Sequence, residues 1–485
     1  MSPDSLGQNW VLSILPELIL TFAGMLLILL EAAAPKLRGI FAPIAIIALV
    51  ITANSEFSVP AGTYFAGSWQ PSELTVFFDL TFLLATLLAT LFARDYLQRE
   101  GVEAGEFYAL LLWGTVGMML MAKGLDLIIV VLGLEILSVC IFVLCGFHRR
   151  LAIANESSLK YFLMGAFATG FILYGTALMY GGAGSTKIAD IARFISSPAA
   201  NTPIATIAFI MLMAGFGFKL ALAPFHGWAP DVYQGAPTPV AAWLSVAPKA
   251  ATLIALIRIL VEIAPVAAQR EWMNILAVLA VLSMVLGNLV ATAQRDLKRL
   301  LAYSGIAQVG YMTIALYAIR HEDAIAAISI YALTYVLMNV GAFGIISLLA
   351  KNQNDPQTLN DIAGLGFRRP VLGLALSIFM FSLAGIPPTA GFISKFYVFK
   401  VAVEAGEVGI ALIGILTSIV SVYYYLRVVY FLYMKEADET TARIGGGVFS
   451  YSALAISTIG ILVIGLFPTP LFETASAAAR VLLSR

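Results

Sequence analysis

Charge is what this sequence has least of. Only 12% of its 485 residues are Asp, Glu, Lys or Arg, where an average soluble domain carries roughly 25%. Sixty percent are hydrophobic and the mean hydropathy is +0.93, which excludes a water-soluble globular protein. Lys and Arg number 28 and Asp and Glu 28, so neither a basic surface for nucleic acid nor an acidic tail is indicated. Cysteine is nearly missing. Cys140 and Cys145 share one apolar stretch with His148 just beyond it, and no fourth ligand follows, which argues against zinc, iron–sulfur clusters and a disulfide framework. Three histidines in all leave little for haem. No GxGxxG or Walker motif stands in a strand–turn–helix context, so nucleotide binding by this chain is not expected.

Long apolar runs are what the sequence has in abundance. At roughly 20 residues per crossing, about fourteen crossings would use about 280 residues. Runs of that length fall near 11–31, 39–55, 75–95, 107–122, 125–146, 156–181, 203–234, 238–261, 273–292, 300–319, 324–350, 370–399, 406–433 and 449–468. They predict an all-α membrane protein of about 14 transmembrane helices. The opening MSPDSLGQ is acidic and polar before the first run, which reads as a spanning helix and not a cleaved signal peptide.

Loop charge gives a second test, because cytoplasmic loops are enriched in Lys and Arg. One side would hold Lys36, Arg38, Arg94, Arg99, Arg149, Arg150, Arg295, Lys298, Arg299, Lys351, Arg368, Arg369, Lys435 and Arg443. The other would hold Lys123, Lys187, Arg193, Arg270, Arg320, Lys400, Arg480 and Arg485. With an even number of crossings, both termini are expected on the non-cytoplasmic side.

Two segments, 203–234 and 370–399, contain proline inside: Ala223-Pro224 in the first, Ile386-Pro387-Pro388 in the second. Proline removes a backbone donor and clashes with the preceding turn, so both helices should break there. Unpaired backbone at membrane depth is tolerated only where it is buried in protein or lines a cavity, and paired broken helices point to a transport site between repeats. The breaks read Pro224-Phe-His-Gly227-Trp228 and Pro388-Thr-Ala-Gly391-Phe392, and they cross in opposite directions. Two inverted five-helix repeats are therefore expected, over 107–262 and 273–434, with helices 1–3 before them in 1–100 and one helix after them in 445–485. Independent proline kinks are the alternative.

A mid-helix Lys, Arg or Asp costs roughly 2.5–3.5 kcal/mol on insertion scales, so a persistent intramembrane charge needs a partner or a function. Glu135, Lys219, Lys249 and Lys395 stand out inside LIIVVLGLEILSVCIFVL, IAFIMLMAGFGFKLALAPF, TPVAAWLSVAPKAATLIALI and GIPPTAGFISKFYVF. Glu135 and Lys219 suit a switchable pair. Desolvation favours a neutral lysine and a nearby carboxylate favours a charged one, so moving the carboxylate loads or unloads a proton. Moving one charge across ~200 mV costs about 4.6 kcal/mol, a swing of roughly three pKa units. The alternative is a buried pair that only fixes packing, a weak reason for one given its desolvation cost. Lys249 and Lys395 would relay the proton through ordered water, or else snorkel their amines to an interface. His226, two residues past the first break, either bridges Lys219 to water or caps the break. Lys160 and Lys298 read as positive-inside anchors, and Glu17, Glu31 and Asp79 as interfacial.

The stretches DLKRLLAYSGIAQVGYM, FKLALAPFHGWAPDVYQGAPTPVAAWLSVAPKA and LAGIPPTAGFISKFYVF resemble the antiporter-like membrane subunits of proton-pumping NADH:quinone oxidoreductase, respiratory complex I. These in turn resemble the large subunits of multisubunit cation/proton antiporters. The length, the lack of a long C-terminal lateral helix and Lys395 at a position where one branch has glutamate narrow the resemblance to a single branch. It implies Glu135 and Lys219 as the switchable pair, Lys249 as the central relay lysine and Lys395 as the terminal one. It further implies a non-redox, proton-translocating subunit of a bacterial inner-membrane enzyme, with other membrane subunits and the bilayer as partners. NADH, FMN, iron–sulfur clusters and quinone would belong to other subunits, with no cofactor here. A cation/proton antiporter subunit would use almost the same residues, and a non-transporting scaffold would tolerate loss of Lys219.

Overall fold

The computed structural model describes residues 10–197, 203–263, 269–349, 358–437 and 445–483. Lys351, Arg443, Arg485 and the opening MSPDSLGQ lie outside the described residues, as does the side chain of Arg270. Regular structure among the described residues is helical apart from isolated bridges. The helices are α1 (Leu15–Ala33), α2 (Phe41–Glu56), α3 (Glu73–Glu100), α4 (Gly105–Lys123), α5 (Leu127–Cys145), α6 (Ala152–Ala183), the short α7 (Ile188–Ile195), α8 (Pro203–Leu220), α9 (Trp228–Gly235) and α10 (Thr238–Ile263). They continue as α11 (Gln269–Ala293), α12 (Leu297–Tyr317), α13 (Ala324–Leu348), α14 (Pro370–Ala384), α15 (Ala390–Glu404), α16 (Val408–Tyr433), α17 (Val448–Leu466) and α18 (Thr469–Leu483). Thirteen of the described helices are long and apolar enough to span a bilayer, and α14 is a shorter apolar helix. Counting α14 with α15 as one crossing gives the fourteen expected.

Both proline breaks are real. The first separates α8 from α9 and the second α14 from α15. Each turns on a left-handed residue, Ala221 (φ 58°) in the first and Gly385 (φ 84°) in the second. The freed backbone is satisfied from within the protein, as a membrane demands: Ala223 N–H donates to Ser283 Oγ at 2.8 Å, and Gly391 N–H donates to Ser382 Oγ at 3.0 Å. Since successive long helices alternate, α8 descends from the end where α1 begins, here the near end, whereas α14 ascends from the far end.

Local signals set the other boundaries. Asp126 and Asp296 each accept a backbone N–H at the start of α5 and α12, the usual use of Asp at an N-cap. Gly101 and Gly184 end α3 and α6 in the left-handed conformation. Helices α10 and α13 are buried over 94% of their apolar windows and form the core, while α1 and α17 are buried over only 28%. Helices α4 and α5 cross in direct backbone contact: a Cβ on Gly117 would lie 2.5 Å from the Gly133 carbonyl oxygen, and one on Gly133 equally close to that of Gly117. Small residues give such crossings in membranes. Gly117→Leu is therefore expected to destabilise the bundle by ~1–3 kcal/mol through overpacking, seen as a lower thermal midpoint of the detergent-solubilised protein.

Candidate functional site

Three lysines lie inside the bundle with neutral partners. Lys219, in the last turn of α8, donates to Ser138 Oγ at 2.7 Å and sits within about 6 Å of the rings of Phe142, Tyr161 and Phe218. Lys249, mid-way along α10, reaches the Gly305 carbonyl at 3.3 Å and the rings of Tyr233 and Tyr335. Lys395, in α15 just past the second break, donates to the Ala384 carbonyl at 3.1 Å and to Ser418 Oγ at 2.9 Å, with the Tyr311 ring 5.0 Å away. All three are buried, with 5%, 2% and 5% exposure. Neither Lys249 nor Lys395 snorkels.

Glu135 is half-buried on the outer side of α5, among exposed Leu132, Ile136 and Val139. Its Oε1 accepts from the Thr169 hydroxyl of α6 at 2.6 Å. No ion pair joins Glu135 to Lys219. Ser138, three residues on and so on the same helix face, holds Lys219 in place of the carboxylate and donates a hydrogen bond to the Leu134 carbonyl at 2.5 Å. The pair is therefore seen apart, with a serine and a threonine satisfying its two members. Composition hides such hydroxyls, because Ser and Thr in apolar helices commonly bond their own backbone.

Helix α12 lines the gap between Lys249 and Lys395 with Ser304, Gly305, Gln308 and Tyr311. Its Gly305 carbonyl takes Lys249, and six residues on, about 9 Å along the axis, Tyr311 faces Lys395. Between them Ser304 pairs with Tyr425 at 2.5 Å, Gln308 donates to Tyr425 at 3.0 Å, and Tyr331 donates to Gln308. Asn288 of α11 closes the track by donating to the Tyr311 hydroxyl and accepting from Tyr424. Two glycines leave room for the lysines. A Cβ on Gly305 would lie 2.7 Å from the Tyr335 hydroxyl and 3.0 Å from the Lys249 ammonium, and one on Gly385 would lie 2.9 Å from Lys395 Cδ.

His226 lies in the first break, half-buried, its ring 6.4 Å from that of Tyr303. No hydrogen bond joins it to Lys219, and its Nδ1 is unpartnered. Five residues on, Asp231 pairs with Lys160 at 3.2 Å and Arg299 at 2.6 Å. Burial works to raise the Asp231 carboxyl, but Arg299 and Lys160 outweigh it and hold it below the usual carboxylate range. That bridge therefore stands at neutral pH and weakens only on acidification towards the lowered value.

Several expectations need correction. Lys298, expected as a positive-inside anchor, does not reach the surface: it is buried, and its amine caps the end of α9 on the Gln234 and Ala236 carbonyls. Lys123 is not a loop residue, and Glu17 and Asp79 are not interfacial; they meet with Glu56 in a buried ion cluster. Lys123 Nζ lies 2.7 Å from Glu17, 3.0 Å from Glu56 and 2.9 Å from Asp79, and the four are 0–5% exposed. Position within two turns of a helix end suggests a solvated charge, whereas packing of α1–α4 buries all four ends together. Arg258 and Arg427, two further charges inside apolar runs, whose position alone gives no sign of a partner, cap the ends of α4 and α11 through the carbonyls of Ala122 and Thr292. Cys140 and Cys145 are free buried thiols.

A fourteen-crossing bundle with two broken helices and a buried line of lysines defines an antiporter-like membrane subunit. The family described as "NADH:quinone oxidoreductase/Mrp antiporter, TM" matches residues 124–421, and the chain belongs to it. Within that family, the relative named NADH-quinone oxidoreductase subunit N in Trichlorobacter lovleyi is 43% identical over 97% of both chains, and subunit N 2 of Rhizobium meliloti is 38% identical over 97% of this chain and 98% of its own. A chain of respiratory complex I from Thermus thermophilus superposes with TM-score 0.82 at 34% identity, covering 95% of this chain and 99% of that one. A chain of the Mrp complex from Dietzia sp. shares the fold, with TM-score 0.85 at 20% identity over 98% of each chain.

Gly305→Ala is expected to push apart Lys249 and Tyr335 and to slow coupled turnover roughly tenfold, the kinetic equivalent of ~1.4 kcal/mol. Proton uptake by membrane vesicles, measured against the rate of electron transfer, checks it. Ser138→Ala removes the acceptor of a buried ammonium, at ~1–3 kcal/mol, and should lower the thermal midpoint of the solubilised protein.

Proposed function

We propose that this chain is a membrane-arm subunit of a bacterial respiratory NADH:quinone oxidoreductase, and that it moves protons through Glu135, Lys219, Lys249 and Lys395 under the drive of redox chemistry in other subunits. NADH, FMN, iron–sulfur clusters and quinone are assigned to those partners. The observation that carries the reading is the partner set of the three lysines. An ammonium held only by hydroxyl and carbonyl oxygens has no fixed counter-charge, so its proton can leave without stranding a buried carboxylate. Lys123, clamped by carboxylates, is the contrasting case.

On this reading, residues 107–262 and 273–434 act as inverted repeats, and each places a lysine at its broken helix: Lys219 before the first, Lys395 after the second. Approach of Glu135 to Lys219, with Ser138 displaced, holds a proton on the lysine. Withdrawal to the arrangement seen here releases it towards Lys249. From there the Ser304–Gln308–Tyr311 face of α12, supplemented by water, leads to Lys395. Entry is assigned to the far end, where His226 and the Lys160–Asp231–Arg299 bridge border the first break, and that end is assigned to the cytoplasm, with both termini opposite. Release is assigned to a groove of about 570 Å³ that runs from Lys395 past Ser418 to Lys400 and Glu404. Glu135, on an apolar outer face of α5, would meet a neighbouring membrane subunit.

Glu135→Gln and Lys219→Ala are each expected to cut coupled proton pumping at least tenfold, and electron transfer with it, in complexes that still assemble. Pumping is read as acidification of inside-out vesicles, and normal coupling in either assembled variant would overturn the relay. Co-purification with flavin and iron–sulfur proteins separates this reading from a cation/proton antiporter, which would lack them.

A further inference from the structure

The cluster at the near end of α1–α4 lies outside the lysine line and is richer in negative charge than a structural clamp needs. The Lys123 ammonium donates to Glu17 Oε1 at 2.7 Å and to Glu56 Oε1 at 3.0 Å and stands 2.9 Å from Asp79 Oδ2 as an ion pair, with one oxygen of each carboxylate within 4.8 Å of the others. One cation against three carboxylates leaves −2. The next cation, Arg258 of α10, reaches the Ala122 carbonyl at 2.5 Å and Gln70 Oε1 at 2.8 Å, so it stands one residue from Lys123 and brings the sum to −1. Three carboxylate oxygens, both of Asp79 and Oε2 of Glu17, are buried without a hydrogen-bond partner. An uncompensated buried anion is too costly to persist, and such a group neutralises instead. The ammonium already fills the position a metal ion would take, which leaves a proton as the missing ligand.

A way in exists. A cavity of about 540 Å³ opens beside Glu56, lined also by Ser72, Glu73, Phe77, Thr474 and Ala478, so α18 forms one wall. Glu73 adds a further negative charge at its mouth.

We propose that the Glu17–Glu56–Asp79–Lys123 cluster is a proton-binding site that holds at least one proton among its carboxylates and exchanges it with near-end water through the cavity at Glu56. A hydronium ion gives its proton to a carboxylate oxygen and leaves as water; release is the reverse, with Lys123 ammonium throughout. The site does not rest on the relay, and its test does not read pumping. In the assembled complex at neutral pH, infrared difference spectra of wild type against Glu17→Gln, Glu56→Gln and Asp79→Asn are expected to show loss of a protonated-carboxyl C=O band in at least one variant. That variant should assemble at the wild-type level, because an amide of the same shape replaces a group already neutral. In the wild type the band should shift on transfer to D2O. The proposal is overturned if no assembled variant loses a protonated-carboxyl band, if the band is lost but does not respond to D2O, or if none of the three variants assembles.

Discussion

The cost of holding a charged amine away from water governs this molecule. Each buried ammonium must be given oxygens, and the kind of oxygen decides what the amine can do. Lys123 receives three carboxylates and is fixed as a cation that ties four helix ends together. Lys298 receives two carbonyls and terminates α9. Lys219, Lys249 and Lys395 receive hydroxyls and carbonyls deep in the bundle. Such partners solvate a charge without opposing it, which is the condition for a proton to be held and given up at comparable cost.

The broken helices serve the same requirement. A proline break frees backbone groups that lipid cannot satisfy, so the protein must surround them, and that enclosure creates polar volume at depth. Here Ser283 and Ser382 take up the loose N–H groups, and the Ala384 carbonyl, at the end of α14, becomes a ligand of Lys395. Gly385 turns the chain with a left-handed backbone and leaves space for the lysine's stem. One local feature therefore supplies the bend, the oxygen and the room.

The three lysines share no hydrogen-bond partner, so connection depends on what lines the gaps. Helix α12 contributes no charge to the interval between Ser304 and Tyr311, and its contribution is a strip of serine, glutamine, tyrosine and bare carbonyl repeating on one face. The tyrosines are anchored by Gln308 and Asn288, which fixes the strip against α11, α13 and α16. Glu135 sits at the margin of the bundle, half open to whatever packs on α5. That makes it the natural point at which a neighbour could alter the line's charge.

The number of crossings, the two breaks and the four chemically conspicuous residues were legible in the sequence, because hydropathy, proline and isolated charge are each properties of one position or one run. The stretches around the two breaks and the start of α12 also carried the resemblance that the family match and the relatives bear out. Pairing was not legible. Which oxygen meets which ammonium depends on helices distant in sequence coming side by side: Glu17 and Lys123 are 106 residues apart, Lys219 and Ser138 are 81 apart, and Lys249 and Gly305 are 56 apart. The tertiary structure alone decided that Glu135 and Lys219 stand apart, that Lys123 and its three acids are buried together, and that Arg258 and Arg427 end other helices. A one-dimensional pattern records the cost of burying each charge, and only packing in three dimensions supplies the partner that offsets it.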